Sequence, residues 1–324
     1  MPRIYDVITI GEATIDAFMT LHDSSDKVQF DQKSGKLEFK HGEKINVEKY
    51  DFLLGGNAAN VAVGLTRLGL NATLACEIGD DEFSIKIRNH LAQEKVERVL
   101  VTQSKGRQSN FSVIINFKGD RTIFNEDLKR EHKFDYADVA AKYIYLTSMG
   151  EDWVRSYEDA VEFVKKHGGK IAFNPGTHQL HNHTTLIHQV MKDTEIIFVN
   201  KEEAELILFN HYSKRVDDSD HYIKNLCQEL QDLGPKIVVV TNGKEGSHVL
   251  DAEGNFQNQD LYPGKCIERT GAGDSFATGF LGAVLYGMDL ATAMKWGAVN
   301  SASVVGVVGA EPGLLMKEEI EKRV

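Results

Sequence analysis

The chain has 324 residues, of which 42% are hydrophobic and 26% are charged, and this composition is typical of a folded globular protein rather than a disordered or collagen-like one. The 37 basic and 48 acidic side chains give a formal net charge of −11, which argues against binding to nucleic acid or to an anionic membrane surface. Because no apolar run approaches the ~20 residues that a membrane span needs, we expect a soluble, cytoplasmic protein.

The amino-terminal part predicts a strand followed by a polar β excursion. Residues 5–11 are a short apolar run that ends at glycine, and residues 13–20 continue in an extended conformation. From residue 21 to residue 51 the sequence becomes polar, with short alternating pieces separated by turn residues. We expect this region to leave the main body of the protein as β structure.

A second β region follows at residues 110–125. Two alternating runs, 110–117 and 121–125, flank Gly119-Asp120, a pair that is typical of a hairpin turn. We expect the two β regions, about 14–50 and 107–125, to form a small sheet that acts as a lid on the main body.

The remainder of the chain alternates strands and helices. Strands are predicted at 72–78, 143–146, 170–173, 196–199, 237–241 and 248–250, and helices at 58–68, 83–94, 153–167, 185–191, 201–209 and 222–233. This order predicts right-handed βαβ units and an α/β fold with a parallel sheet between helices. No linker or repeat divides residues 1–324, so we expect a single domain. Cys76, Cys227 and Cys266 are too few and too scattered for a disulfide framework or a zinc site, and we expect free thiols.

The segment 268–282 carries the strongest chemical signal. Gly271-Ala272-Gly273 precedes a helix whose apolar residues recur every four positions. Free N–H groups and the positive end of the helix dipole therefore favour an anion at this point, such as a phosphoryl group in transfer. Asp274 is either a helix N-cap or a group within reach of whatever attacks that anion. Gly279 and Gly282 weaken the helix, which indicates that another element packs closely against it.

A second glycine-rich segment covers residues 55–69. Its apolar residues form one helical face and Gly69 is a plausible C-cap. The amino end also carries two glycines and two amides, Asn57 and Asn60. Glycines allow close backbone approach and amides both donate to and accept from hydroxyl groups, so this end suits a polyhydroxylated ligand.

The third segment is Asn200-Lys-Glu-Glu203, directly after a predicted strand. Asn200 as N-cap with Glu203 three residues later is nearly a capping box, which is a purely structural role. The functional alternative places Glu203 near a magnesium ion, through water, beside a nucleotide phosphate. The spacing alone is compatible with both.

At these three segments the chain resembles the ribokinase-like (PfkB) family of carbohydrate kinases. Residues 55–69 match the first family signature, residues 270–276 match the second, and Asn200-x-x-Glu203 matches the magnesium and phosphate motif. The resemblance implies a three-layer, Rossmann-like α/β sandwich with a mostly parallel central sheet and a small β-sheet lid. It also implies in-line transfer of the ATP γ-phosphoryl group to a substrate hydroxyl.

The resemblance further implies roles for individual residues. Asp274 would be the catalytic base, and the amides of Gly271, Ala272 and Gly273 would form the anion hole. The residues that would hold substrate hydroxyls are Asp16, Gly56, Asn57 and Asn60. Asn200 would bind phosphate and Glu203 would organise Mg²⁺, while Thr241, Gly243 and Asn300 would line the nucleotide site.

The chain departs from the family where members commonly have Asp-Thr and this sequence has Glu268-Arg269. The usual monovalent-cation site is therefore doubtful, and we expect an Arg269 salt bridge, with Glu268 or another nearby carboxylate, to replace it. Arg107 and Arg121, in the predicted lid, could reach a second phosphate on the substrate or simply face solvent.

The leading hypothesis is an ATP-dependent kinase for a small sugar, similar to ribokinase or fructokinase. A nucleoside kinase similar to adenosine kinase and a sugar-phosphate kinase of the same family remain alternatives, as does a sugar-binding sensor without catalysis. The expected partners are the sugar and ATP, without nucleic acid or membrane, and we also consider a homodimer formed through the lid.

Overall fold

A large sheet runs through the centre of the protein. The computed structural model describes residues 2–24, 26–118, 120–126, 128–182, 184–212 and 222–324. Within them the strands are β1 (Arg3–Ile10), β2 (Thr14–Leu21), β3 (Val28–Asp31), β4 (Lys36–Phe39), β5 (Val47–Gly55), β6 (Ala72–Ile78), β7 (Val101–Gln103), β8 (Asn110–Phe117), β9 (Asp120–Asn125), β10 (Val139–Thr147), β11 (Lys170–Asn174), β12 (Thr194–Asn200), β13 (Ile237–Thr241), β14 (Ser247–Leu250) and β15 (Phe256–Gln259). The central sheet has the order β15-β14-β13-β12-β11-β10-β1-β6-β7.

Helices cover both faces of this sheet. They are α1 (Asn57–Arg67), α2 (Glu82–Gln93), α3 (Val154–His167), α4 (Thr177–Asn182), α5 (Thr184–Lys192), α6 (Lys201–Tyr212), α7 (Tyr222–Asp232), α8 (Ala272–Leu285), α9 (Leu290–Val304) and α10 (Lys317–Glu321). Helices α3 to α7 contribute to the hydrophobic core on one face, and α1, α2, α8, α9 and α10 contribute to the cores on the other. The three-layer α/β arrangement predicted from the sequence is confirmed.

The apolar strands explain why both faces are covered. In β13, Val238 and Val240 pack into the core on one face and Val239 into the core on the other. A strand without a polar face must be buried on both sides. The pairs from β6 through β1 to β13 are parallel, so their carboxyl ends lie at one edge, where ligands bind in sheets of this kind.

The small sheet has the order β5-β2-β8-β9. Strand β2 pairs antiparallel with β5 and parallel with β8, and β8 pairs antiparallel with β9. Phe117 lies opposite Asp120, so Asp120 is the first residue of β9 and not a turn residue as the sequence predicted. Lys118 has a positive φ of 50°, and Gly119 lies outside the described residues.

Two parts of the fold differ from the sequence prediction. Strand β14 is antiparallel to β13, because the five residues between them are too few for the crossover that a parallel return needs. Strand β15, whose sequence is FQNQ, was not predicted. It lacks the alternation of apolar and polar residues on which such a prediction depends.

Candidate active site

The candidate site is centred on the crossing of α1 and α8. A Cβ atom at Gly64 would lie 2.5 Å from Thr278 Cγ2, so only glycine permits the two helices to approach this closely. One helical turn earlier on each helix, Asn60 Nδ2 donates to Asp274 Oδ2 at 2.8 Å. On the other side of α8, a Cβ atom at Gly279 would lie 2.5 Å from the carbonyl oxygen of Trp296. The close packing indicated by the glycines of α8 is thus confirmed.

Asp274 is a buried member of the first turn of α8 and does not cap the helix. The helix begins at Ala272 with Gly271 as N-cap, so the N-cap interpretation of Asp274 is wrong. Burial raises the pKa of Asp274 to about 7, and the hydrogen bond from Asn60 partly opposes this increase. The opposite end of the Asn60 amide, Oδ1, is buried and has no hydrogen-bond partner among the described residues.

The backbone at the start of α8 is held by contacts that only glycine allows. Gly271 has a left-handed φ of 76°, and a Cβ atom there would lie 2.5 Å from Ala310 Cβ. A Cβ atom at Gly273 would have no atom within 4 Å, so the space in front of this residue is open. The Ala272 N–H donates to the carbonyl oxygen of Arg269 at 3.3 Å. Of the three predicted anion-hole groups, the Ala272 N–H is therefore already engaged within the protein.

Asp16 lies on β2, within the small sheet, and is 6% exposed. Its carboxylate lies so close to Gly55 that a Cβ atom at that position would overlap it. Burial raises the pKa of Asp16 to about 7; a hydrogen bond from Ser112 opposes the increase, and the nearby charges of Glu311, Glu268 and Asp274 add to it. The structure thus brings Asp16 and Asp274 into one acidic centre, although 258 positions separate them in the sequence.

Two more predicted residues lie at the amino end of α1. Gly56 is the N-cap residue with a φ of 92°, and a Cβ atom there would lie 2.5 Å from the Glu12 carbonyl oxygen. Asn57 begins the helix and is half-buried. The C-cap of α1 is Leu68, one residue before the predicted Gly69. Gly69 follows it with a left-handed φ of 84°, and its N–H donates to the Thr66 carbonyl.

A cavity of about 590 Å³ lies next to the start of α8. Thr241 and Gly243, at the end of β13, line it together with Ala272 and Gly273. The remaining lining residues are mostly small, apolar or aromatic and include Tyr262, Phe276, Ala298, Ala302 and Val305. The volume and the few polar groups are typical of a site for a small organic molecule.

Asn300 lies beside this cavity but its side chain does not line it. It is 1% exposed. Its Nδ2 donates to the Ser275 carbonyl at 2.8 Å, and its Oδ1 accepts the Leu315 N–H at 3.0 Å. Asn300 therefore ties α9 to α8 and to the segment before α10. The residues of α9 that line the cavity are Ala298, Ser301 and Ala302.

Asn200 and Glu203 form a complete capping box at the start of α6. The Asn200 N–H donates to Glu203 Oε2 at 2.9 Å and the Glu203 N–H donates to Asn200 Oδ1 at 2.8 Å. Burial raises the pKa of Glu203 to about 7, while the bond from Asn200 lowers it and the charges of Glu202 and Asp274 raise it further. Glu203 therefore lies within electrostatic reach of Asp274 as well as capping the helix.

The structure corrects the expected partner of Glu268. Arg121, on β9, places Nε 3.4 Å from Glu268 Oε1. Arg269 forms no ion pair among the described residues; instead it lines the 590 Å³ cavity and a second one of about 480 Å³ below the small sheet. Glu268 therefore pairs with Arg121 of the small sheet and not with Arg269, its neighbour in the chain.

Comparison with known proteins identifies the family. A model of the pfkB family of carbohydrate kinases matches residues 10–316. The chain belongs to this family. A 5-dehydro-2-deoxygluconokinase of Bacillus subtilis is 23% identical, and the match covers 99% of this chain and 96% of the relative. An ATP-dependent 6-phosphofructokinase of Thermoanaerobacterium thermosaccharolyticum is 24% identical over 94% of this chain and 89% of the relative.

The same comparison supports the fold of this pfkB-family chain. The structure of Arabidopsis thaliana ribokinase in complex with ribose and ATP matches with a TM-score of 0.76 and 18% identity, covering 98% of both chains. Like other members of the pfkB family, the chain is a phosphotransferase that uses an alcohol group as acceptor. No helix within its described residues is both long enough and apolar enough to cross a membrane.

The sequence did not single out several residues of this pfkB-family site. Ser112 bonds to Asp16, and Glu311 contributes charge to the same centre. Tyr262 and Val305 line the cavity from positions far from any glycine-rich signature. Alternation along β8 could have indicated that Ser112 shares a face with Asp16 once the pairing of β2 with β8 was known.

Proposed function

We propose that the chain is an ATP-dependent sugar kinase that transfers the γ-phosphoryl group to a hydroxyl group of a small carbohydrate, with Asp274 as the general base. The position of Asp274 between two compartments carries this proposal. The residue before it, Gly273, lines the 590 Å³ cavity, and its own carboxylate bonds to Asn60 on the side of Asp16. A nucleotide phosphate and an acceptor hydroxyl would therefore meet at this side chain.

The acceptor side offers the groups that sugar hydroxyls need. The buried Asn60 Oδ1 lacks a partner among the described residues, and a buried acceptor of this kind favours a ligand that donates a hydrogen bond to it. Asp16 would accept from a second hydroxyl when ionised, and Gly56 and Asn57 would border the ligand with backbone and amide groups. A compact polyol satisfies such a set better than an apolar molecule does.

The proposed step uses Asp274 in its ionised form. The acceptor oxygen bonds to the γ-phosphorus, the bond from that phosphorus to the β–γ bridging oxygen breaks, and the hydroxyl proton moves to Asp274 while ADP leaves. A base with a pKa of about 7 is well matched to neutral pH. The N–H groups of Gly271 and Gly273, at the positive end of α8, would face the developing negative charge.

On the nucleotide side, Thr241 and Gly243 border the cavity, and the apolar residues from α8 and α9 would contact the base of ATP. Glu203 and Asn200 fit a hydrated magnesium ion that the nucleotide phosphates hold for the most part, because Mg²⁺ usually needs only one or two protein carboxylates. The described residues contain no group of three or more His, Cys, Asp or Glu side chains that could hold a metal without such help. When bound, Mg²⁺ would neutralise charge on the β- and γ-phosphates.

A coupled ATP-consumption screen over pentoses, hexoses, sugar phosphates and nucleosides tests the proposal. We expect one class of unphosphorylated sugars to give the highest kcat/KM, and Asp274→Asn to lower that turnover at least ~10²-fold while nucleotide still binds. Turnover confined to nucleosides, or an Asp274→Asn protein with normal turnover, would contradict the proposed function.

One observation favours a sugar-phosphate kinase as a second candidate. A cavity of about 570 Å³ near the start of β8 is lined by the basic residues Lys105, Arg107, Lys129, Arg130 and Lys133 and by three acidic ones, Glu77, Glu131 and Asp152. Its excess of basic groups suits a phosphate. Under this candidate Arg107→Gln would raise KM for a phosphorylated acceptor and leave KM for its unphosphorylated counterpart unchanged.

A homodimer through the small sheet is also part of the proposal. Tyr50, Phe52 and Phe124 share the outer face of this sheet and are 67%, 44% and 53% exposed. Clustered exposed aromatic residues are typical of interaction sites. Analytical ultracentrifugation should give a dimer that Phe124→Glu weakens, and a monomer at all concentrations would contradict this part.

A further inference from the structure

The small sheet and the loop before α8 are joined by an ion pair. Arg121 projects from β9, and its Nε lies 3.4 Å from Oε1 of Glu268. The Arg121 side chain is 26% exposed, whereas that of Glu268 is only 5% exposed. Among the described residues, Arg121 is the one cationic side chain within 4.0 Å of this carboxylate. A buried carboxylate with a single counter-charge depends strongly on that charge.

Glu268 in turn holds the loop that leads into the anion hole. Its Oε1 accepts the Thr270 N–H at 2.7 Å and the Thr270 hydroxyl at 2.6 Å. Thr270 directly precedes Gly271, whose left-handed conformation starts α8. The Glu268 N–H donates to the Val305 carbonyl at 3.2 Å, which fixes the other end of the residue. A shift of this carboxylate would therefore move the backbone that faces the transferred group.

The charge around this point makes the counter-ion important. Glu268 belongs to the same acidic centre as Asp16, Asp274 and Glu311, and its Oε2 is buried without a hydrogen-bond partner among the described residues. Without Arg121, an ionised Glu268 would either stay buried beside a site for negative phosphoryl groups or turn toward water. Turning would break both bonds to Thr270.

We propose that Arg121 is a positioning residue for phosphoryl transfer, which acts by keeping the Glu268 carboxylate bonded to Thr270 and so keeping the loop at Gly271 in its anion-accepting shape. This inference rests on the proposed function. Because Arg121 is carried by the small sheet, the ion pair exists only while that sheet lies over the loop. The position of the small sheet would thereby control whether the loop at Gly271 has its anion-accepting conformation.

The test compares Arg121→Gln, Glu268→Gln and the double variant with the unmodified protein. Arg121→Gln should lower kcat at least ~10-fold, with KM for ATP and for the sugar each within ~3-fold, because the unpaired carboxylate leaves Thr270. Glu268→Gln should cost less than ~3-fold, because a neutral amide oxygen can still accept both Thr270 bonds. The double variant should return to within ~3-fold of Glu268→Gln.

The kinetic parameters of these three variants distinguish the positioning role of Arg121 from two other roles. If Arg121 binds a phosphate of the acceptor, the double variant stays as impaired as Arg121→Gln and KM for the acceptor rises, which would overturn the inference. If Arg121 only stabilises the fold, melting temperature and kcat fall together and the double variant shows no rescue, which would overturn it as well. Arg121→Lys, which keeps the charge, should lose less kcat than Arg121→Gln and serves if the glutamine variant does not fold.

A parallel measurement on Asp274→Asn keeps the two proposals apart. If Asp274→Asn is inactive and Arg121→Gln is fully active, the positioning role fails and the kinase mechanism stands. If Asp274→Asn keeps normal turnover, the kinase mechanism fails whatever Arg121 does.

Discussion

The two sides of the candidate site, the proposed acceptor side and the proposed nucleotide side, differ in the chemical character of their residues. The acceptor side gathers four buried acidic residues, Asp16, Glu268, Asp274 and Glu311, from distant parts of the chain. The 590 Å³ cavity, the proposed nucleotide side, is lined mostly by small and apolar side chains, together with Lys244, Asp260 and Arg269, and all of its lining lies within residues 241–305. We infer that the properties of the acceptor side depend on the ionisation of these carboxyl groups and on contacts between distant segments. Ligand affinity on the nucleotide side depends instead on the shape of the cavity. Each prediction below tests one side of this contrast.

The largest expected effect is a gain in stability when the buried charge at Asp274 is removed. The unfolded chain ionises this carboxyl near its ordinary pKa of 3.8, whereas the folded protein keeps it protonated up to about pH 7. The free energy of unfolding therefore falls as pH rises between these values. Asp274→Asn avoids this loss and should raise the free energy of unfolding by on the order of 4 kcal/mol at about pH 8.

Urea unfolding of both proteins at about pH 8 and at about pH 4 measures this difference. The gain should shrink to a small fraction at the lower pH, where the folded carboxyl stays protonated and the unfolded one, with its ordinary pKa of 3.8, is only partly ionised. Asp289→Asn is a suitable control, because Asp289 is an exposed N-cap residue whose pKa is lowered by its bond from Thr292. No gain from Asp274→Asn at the higher pH would show that this carboxyl is not under electrostatic strain.

The same Asp274→Asn variant should lose at least ~10²-fold in kcat, because the acceptor hydroxyl loses its base. In the unmodified protein, kcat/KM should rise with pH through about 7, where Asp274 ionises. Steady-state kinetics across pH measures both effects. A flat profile from about pH 5.5 to pH 8.5 would mean that another group takes the proton.

On the nucleotide side, a change of shape should matter more than a change of charge. Ala302→Leu adds a branched side chain to the wall of the cavity, and we expect KM for ATP to rise about 10-fold, equivalent to about 1.4 kcal/mol. KM for the sugar should stay within ~3-fold. Ala291→Leu, an exposed position on the same helix, is the matched control, and equal effects of the two substitutions would contradict the assignment of the cavity to ATP.

Glu203 lies between the two sides, and we expect its substitution to have a smaller effect on activity than the changes above. Glu203→Gln should raise the Mg²⁺ concentration for half-maximal activity about 3- to 10-fold, because the amide binds metal-bound water more weakly than a carboxylate does. Its oxygen can still accept the Asn200 N–H, and the substitution removes a buried carboxyl whose pKa is raised to about 7, so the melting temperature should not fall and should rise at about pH 8. Glu202→Gln, an exposed neighbour, is the control. A lower melting temperature with unchanged Mg²⁺ dependence would leave Glu203 with the capping role alone.

The smallest expected effect concerns monovalent cations. Arg121 already supplies a positive charge next to Glu268, so an added cation has less to contribute at this loop. Replacing sodium by potassium at constant ionic strength should change kcat less than ~3-fold, or under ~0.7 kcal/mol. Strong activation by potassium would show that the backbone around the loop binds the ion regardless of Arg121.

Local sequence signals predicted the parts of the site that depend on backbone shape. The glycines at 55, 56, 271 and 273 and the capping residues Asn200 and Glu203 lie where their spacing indicated. Most strands of the central sheet were also visible, because buried parallel strands are continuous apolar runs. Such features depend on residues within one or two turns of each other.

Contacts between distant segments could not be predicted in this way. The partner of Glu268 is Arg121, which lies 147 residues earlier, and nothing near either residue indicates the pairing. Asp274 resembles an N-cap in the sequence, and only the left-handed Gly271 shows that the helix starts earlier. The pKa of Asp16 is raised mainly by burial under other segments of the chain, and three charges from those segments add to the increase. These properties arise from the tertiary structure alone.

The crossing of α1 and α8 at Gly64 has a consequence for how acceptor choice can diverge among enzymes of this design. Asn60 and Asp274 are carried by two helices of the close-packed interior, and such interiors deform little. Asp16 and Ser112 are instead carried by the small sheet, outside the central one. Under the proposed function, mutations in that sheet would change which molecule is phosphorylated, while Asp274, the proposed base, would keep its hydrogen bond from Asn60. Selection for a new substrate would then act on the small sheet, and selection that preserves phosphoryl transfer would act on helices α1 and α8.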